Sequence, residues 1–193
     1  MNKSIDYKEL LIEKINYKPN KNLIKLINEL KNSLKKRNSI FLCGNGGSAA
    51  NANHIANDFL YGVSSKLKIG LNVESLSANV AVLTCLANDI GYENIYSEQL
   101  KNKGKKGDIL IVLSGSGNSK NICKALKIAN KLQMKTFAIL GYNGGKAKNI
   151  ANYPIHCPVN DMQISEDIQM FYLNYCLKEL WQTKKKNITN KNY

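Results

Sequence analysis

Two stretches of this chain place glycine, hydroxyl and amide side chains directly after an apolar run. The first is Gly44-Asn45-Gly46-Gly47-Ser48, which follows Ser39-Ile40-Phe41-Leu42-Cys43. The second is Ser114-Gly115-Ser116-Gly117-Asn118-Ser119, which follows Asp108-Ile109-Leu110-Ile111-Val112-Leu113. Both suit the holding of an oxyanion, in particular a phosphate. Glycine lets the backbone come close, hydroxyls and unpaired N–H groups donate, and the start of a following helix adds partial positive charge. The same residues also suit turn and helix-capping duty, although three hydroxyls in six residues exceed what one cap uses. Neither stretch fits G-x-x-x-x-G-K-[ST], so a nucleotide triphosphatase is not expected. The first also lacks the G-x-G-x-x-G spacing, which leaves a dinucleotide fold the weaker contender.

A second constellation follows the first loop. His54 and Asp58 stand four residues apart, so on a helix they share one face. That spacing suits a metal pair or an acid–base pair. It suits equally a histidine that is merely hydrogen-bonded between subunits.

The elements that must position these residues can be read from periodicity. Helical spacing covers 6–15 and 21–36, the latter through Leu23, Leu26, Ile27, Leu30 and Leu34, with a Lys-Pro-Asn break between them. Strands are expected at 39–44, 68–73, 108–114, 135–141 and 154–158. Helices are expected at about 47–62, 78–88, 93–103, 118–132, 145–151 and 164–182. Strands alternating with helices imply parallel βαβ units, and continuous apolar strands imply a sheet covered on both faces. The expected architecture is a three-layer α/β/α sandwich behind an N-terminal helical hairpin. In such sheets ligands bind beyond the carboxyl ends of the strands, where both Gly/Ser loops lie.

Bulk properties narrow the class. The 193 residues suit a single domain over 1–193, with N-terminal helices at 1–36 and a polar, frayed tail at 183–193. No apolar run reaches the roughly 18 residues of a membrane span, and the N-terminus lacks a signal-peptide core, so a cytoplasmic protein is expected. The five cysteines form no C-x-x-C pair and read as reduced core residues. The net charge of +14 invites a nucleic-acid reading, but of the 28 basic residues only Arg37 is arginine. Phosphate and base recognition favour arginine's bidentate fork, so the lysines read as a solvated surface and no nucleic-acid partner is expected.

The two loops taken together resemble the sugar isomerase (SIS) family, and within it the phosphoheptose isomerase branch. Further stretches support the resemblance: Ala52-Asn53-His54-Ile55-Ala56-Asn57-Asp58, Ala87 to Asn94, Gly141 to Lys146 and Ile164 to Gln169. The resemblance implies a flavodoxin-like parallel five-stranded sheet. It implies a homotetramer with active sites at subunit interfaces, and a phosphorylated sugar as substrate. The implied reaction is conversion of sedoheptulose 7-phosphate to D-glycero-D-manno-heptose 7-phosphate for lipopolysaccharide or capsule synthesis, with no organic cofactor. It places Ser114, Gly115, Ser116, Asn118 and Ser119 on the phosphate. Asn45, Gly46, Gly47 and Ser48 meet phosphate or sugar from the first loop, and Asp89 meets sugar hydroxyls.

An aldose–ketose isomerisation needs a base between two carbons and an acid or cation at the enediolate oxygen. The family takes a glutamate from the helix after the first loop and a histidine from the last helix, and some members bind zinc. Asp58 stands at the glutamate position and His54 matches the family histidine. Glu166 stands where a glutamine is usual, Gln169 where a histidine often sits, and Asn174 at the catalytic histidine. Asparagine cannot exchange a proton near neutral pH. The implied catalytic set is therefore Asp58, Glu166 and His54, with the same three as ligands of a zinc ion where one is held. As the first acid of a helix, Glu166 also has a purely structural use. One relative on this fold, an adaptor associated with the bacterial replication initiator, also has asparagine at the last-helix position. It continues its first loop as residues 48–52 do here, so a phosphosugar-binding adaptor without turnover is the alternative.

Overall fold

The computed structural model describes residues 6–16 and 21–189. Five strands form one sheet: β1 (Ser39–Gly44), β2 (Asn72–Ser75), β3 (Ile109–Ser114), β4 (Lys135–Leu140) and β5 (Tyr153–His156). Every pairing is parallel and the order is β2-β1-β3-β4-β5. That order is the flavodoxin-like one. The alternation of side chains along a strand divides each apolar run between two cores. Ile40, Leu42, Ile109, Ile111, Leu113, Phe137 and Ile139 face one side, while Phe41, Cys43, Leu110, Val112, Ala138 and Leu140 face the other.

The first face is covered by α2 (Lys21–Lys36), α3 (Gly47–Asn57) and α9 (Met162–Thr189), with α1 (Tyr7–Ile15) packed outside. Leu26 and Leu30 of α2 are fully buried there, and each such side chain contributes about 1.5–3 kcal/mol. The second face is covered by α6 (Ile95–Lys103), α7 (Lys120–Lys131) and the short α8 (Ala147–Ile150). Between α3 and α4 (Val63–Leu67) the path widens into one π turn at Asp58–Gly62. Such turns recur at functional sites.

Two expectations shift. The strand placed at 68–73 lies at Asn72–Ser75, because α4 closes on Lys68 in a left-handed conformation and 69–71 serve as the connection. The Leu71 N–H bonds the Phe59 carbonyl there at 3.1 Å. Helix α9 runs through Thr189, and Trp181 Nε1 donates to the Gly62 carbonyl at 3.0 Å. Of the five free cysteines, Cys85 is exposed and only the other four are buried. The break at 18–20 and residues 190–193 lie outside the described residues. No described helix is long and apolar enough to cross a membrane.

One buried charge ties the hairpin to the sheet. Glu29 of α2, 5% exposed, pairs with Lys135 of β4 at 2.5 Å and with Lys25 at 2.9 Å. Burial pushes its carboxyl up, but the two ammonium groups outweigh burial and the net shift is downward. The folded state thus binds this proton less readily than the unfolded chain. The stabilisation is complete above the ordinary value of 4.5 and is lost as pH falls through it toward the lowered folded value. Glu29→Gln is expected to cost about 1–2 kcal/mol at neutral pH. Urea unfolding should also show the variant losing less stability than the native chain below pH 4.5. Equal acid sensitivity of the two would refute this.

Candidate active site

Gly44 at the end of β1 pairs with Leu113, and Ser114 ends β3 one residue later. The two Gly/Ser loops therefore leave the sheet side by side, at its switch point: β2 lies to one side of β1, and β3, β4 and β5 to the other. Their helices then diverge, α3 onto the first face and α7 onto the second. The loops and the start of α9 enclose a cavity of about 280 Å³, which Asn45, Gly46, Gly47, Ser48, Ser114, Gly115, Ser116, Ser119 and Glu166 line.

The hydroxyls in the second loop are only partly spent on the turn. Ser114 Oγ accepts from the Gly117 N–H at 3.0 Å, and Ser116 Oγ accepts from the Asn118 N–H at 3.3 Å. Each hydroxyl keeps its own proton to donate. Ser119 occupies the position before α7 yet makes no capping bond. Capping therefore does not account for Ser119. Asn118 is a brace: it bonds the Ser116 carbonyl at 3.2 Å and receives the Lys146 N–H at 3.1 Å, joining this loop to the next. It lines a neighbouring cleft of about 580 Å³ with Tyr142 and Asn143 and does not line the smaller cavity.

The first loop is held from behind. The Ser77 and Tyr96 hydroxyls both reach the Gly44 carbonyl. Burial raises the Tyr96 phenol, so it stays protonated and donates. Asn45 is less free than its place in the loop suggests. Its amide exchanges bonds with the Asn121 amide at 3.0 and 2.8 Å, and its carbonyl also receives the Tyr92 hydroxyl at 2.9 Å. This amide pair links the first loop to the start of α7. Asn121 and Tyr92 carry no short-range signal of the link, because it joins segments 76 and 47 residues apart.

Glu166 reaches the cavity because Gly47 lacks a side chain. A Cβ there would stand 2.1 Å from Glu166 Oε2. The neighbouring acid turns elsewhere: Asp167 receives the Tyr7 hydroxyl, a bond that pushes the Tyr7 phenol up to about 12. Beneath Glu166, Gln169 is buried, donates to Ser48 Oγ at 3.0 Å and accepts from Asn51 at 3.2 Å.

Three expected site residues stand apart from this cavity within one chain. His54 Nε2 and Asp58 Oδ2 pair at 3.3 Å on a face where the histidine side chain is 60% exposed. Asp58 follows Gly47 by three turns of the helical path, about 16 Å at 1.5 Å per residue. Asp89 sits exposed on α5 (Val80–Ile90), taken up by Asn88 at 2.9 Å and Cys85 at 3.5 Å. Asn174 is exposed on α9. Within one chain, no three His, Cys, Asp or Glu side chains among the described residues gather to hold a metal. A catalytic zinc takes three protein ligands, which the described residues of one chain do not supply by themselves.

The sheet order, with a polar cradle at its switch point, defines a doubly wound α/β protein. The chain belongs to the SIS domain family, whose model matches residues 5–141. It is 37% identical over 142 residues to the phosphoheptose isomerase of Helicobacter pylori strain 26695, covering 74% of this chain and 73% of that one. It is 40% identical over 126 residues to the phosphoheptose isomerase of Akkermansia muciniphila, covering 65% and 66%. In fold it matches the phosphoheptose isomerase structure from Francisella tularensis with a TM-score of 0.85 at 24% identity, covering 91% and 95%.

Proposed function

We propose that this chain is a phosphoheptose isomerase that converts sedoheptulose 7-phosphate into D-glycero-D-manno-heptose 7-phosphate for lipopolysaccharide or capsule synthesis. The observation that carries the reading is that a carboxylate, Glu166, lines the same cavity as the Ser114–Ser119 cradle. The cradle's hydroxyl protons and the backbone N–H groups at the start of α3 and α7 receive the phosphate. Glu166 takes the C1 proton of the open-chain ketose and returns it to C2. The hydroxyl proton on O1 is exchanged for one on O2, so the aldehyde forms with no net change in atoms or electrons. The chemistry calls for no organic cofactor.

The relatives favour this over a non-catalytic adaptor, since both bacterial sequences above carry the isomerase name. The reading includes a homotetramer in the cytoplasm, in which a neighbouring subunit brings His54 and Asp58 to the cavity. The apolar helix α5 supports this, because none of its residues is buried and Val80 is 70% exposed.

The test is incubation of purified protein with sedoheptulose 7-phosphate, once with chelator and once with added zinc, following the aldose phosphate. Conversion is expected. Absence of turnover under both conditions, with this and other ketose and aldose phosphates, overturns the reading.

A further inference from the structure

The chain of side-chain amides beneath the cavity has a direction that can be deduced from one unambiguous atom. Asn51 Nδ2 lies 3.0 Å from the Glu166 backbone carbonyl, which can only accept. That end of the Asn51 amide is therefore its NH2 group. The same nitrogen meets Gln169 at 3.2 Å, so the Gln169 atom there is its carbonyl oxygen. The other end of Gln169 is then an NH2 group, and it faces Ser48 Oγ at 3.0 Å. Ser48 must accept from Gln169, and its own proton is left to point elsewhere. Gln169 is 1% and Ser48 3% exposed, and no described buried polar side-chain atom lacks a partner, so water has little access to reorient them. Ser48 lines the cavity, so that proton is available to a ligand there.

We propose that Gln169 is a positioning residue that fixes the polarity of the Ser48 hydroxyl, holding it as a donor toward an anionic phosphate oxygen. The order runs from the Glu166 carbonyl through Asn51, Gln169 and Ser48 to the ligand. Asn51 donates both back to the Glu166 carbonyl and forward to Gln169, and from Asn51 through Gln169 and Ser48 to the ligand each link donates in the same sense. The role demands a side chain that accepts at one end and donates at the other. Glutamine meets it, and so does a neutral imidazole, which has one N–H and one bare nitrogen. Glutamate does not: its carboxylate accepts at both ends, draws the Ser48 proton away from the cavity and adds negative charge beside the cradle.

The inference rests on the cavity being the phosphate site of the proposed function. The experiment is calorimetric binding of inorganic phosphate to the full chain and to Ser48→Ala, Gln169→Met, Gln169→His, Gln169→Glu and Ser48→Ala/Gln169→Met, with thermal unfolding recorded for each. Ser48→Ala and Gln169→Met are each expected to weaken phosphate about 5- to 10-fold. The double variant should be no weaker than Ser48→Ala alone, because the glutamine acts only through the serine. Gln169→His should recover most of the affinity, and Gln169→Glu should lose binding by more than Gln169→Met. Wild-type affinity in Gln169→Met, or losses that multiply in the double variant, overturns the inference while leaving the phosphate site standing. Failure of the native protein to bind phosphate removes the phosphate site and this inference with it. If Gln169→Met does not fold, Gln169→His against Gln169→Glu decides alone, with equal affinities refuting the proposal.

Discussion

Glu166→Gln is expected to lower kcat for isomerisation of sedoheptulose 7-phosphate by about 10³-fold, within the range by which a positioned general base accelerates proton transfer. The substitution is nearly isosteric, so the close approach over Gly47 that admits the side chain is unchanged. What disappears is the capacity to take a proton from carbon. Phosphate affinity should be retained or improved, since the change removes a negative charge from the wall of the cavity proposed to hold the phosphate. A fall in kcat with KM held or lowered separates this from a folding defect. A variant with near-native kcat would move the base to another residue. Asp58→Asn, measured in the assembled protein, then shows whether the carboxylate comes from the neighbouring subunit.

The second large effect is expected at Gly117, in the cradle. Its φ of +65° lies in the left-handed region that L side chains rarely adopt. A Cβ there would stand 2.1 Å from the Gly144 carbonyl oxygen and 2.6 Å from its carbon, both backbone atoms that cannot swing aside. The Gly117 N–H also anchors Ser114 Oγ, and its carbonyl receives the Ala147 N–H at 2.9 Å. Gly117→Ala therefore combines a strained conformation with forced separation of two packed loops. A loss of about 2–4 kcal/mol is expected, together with loss of phosphate binding as the serine hydroxyls move apart. Denaturant unfolding and phosphate titration check the two parts. A stable variant that still bound phosphate would show that the cradle does not depend on this turn. By contrast, Gly46 has a φ of +55° but no atom within 4 Å of the place a methyl group would take, so alanine there meets only the conformational cost.

Much of the frame is legible in the sequence because its causes are local. The runs at 39–44, 108–114 and 135–141 are long enough in branched apolar residues to be buried on both faces, and they match β1, β3 and β4 within a residue. The shifted β2 is the exception that explains the rule. Its strand is an edge, with burial only at Ser75, so its composition carries little of the core's signal. Helix α5 begins two residues later than periodicity suggests, because its start is set by Asn79, whose side chain accepts the Val82 N–H at 3.1 Å.

The site divides along the same line. Residue types and short spacing are enough to make the two Gly/Ser loops candidates for an anion cradle and to set His54 beside Asp58. Parallel βαβ order is enough to send both loops to one end of the sheet. Only the tertiary structure decides that Glu166 enters the cavity while Asp167 is turned away to Tyr7. It also decides that Asp58 lies three turns from that cavity within one chain, and that Asn45 is occupied by Asn121 and Tyr92. The Gln169–Ser48 bond joins residues 121 apart in sequence. Local chemistry says which groups can hold a phosphate. Which carboxylate reaches it, and which way each hydroxyl points, follows from how α3 and α9 pack, and packing is not a property of any short stretch of residues.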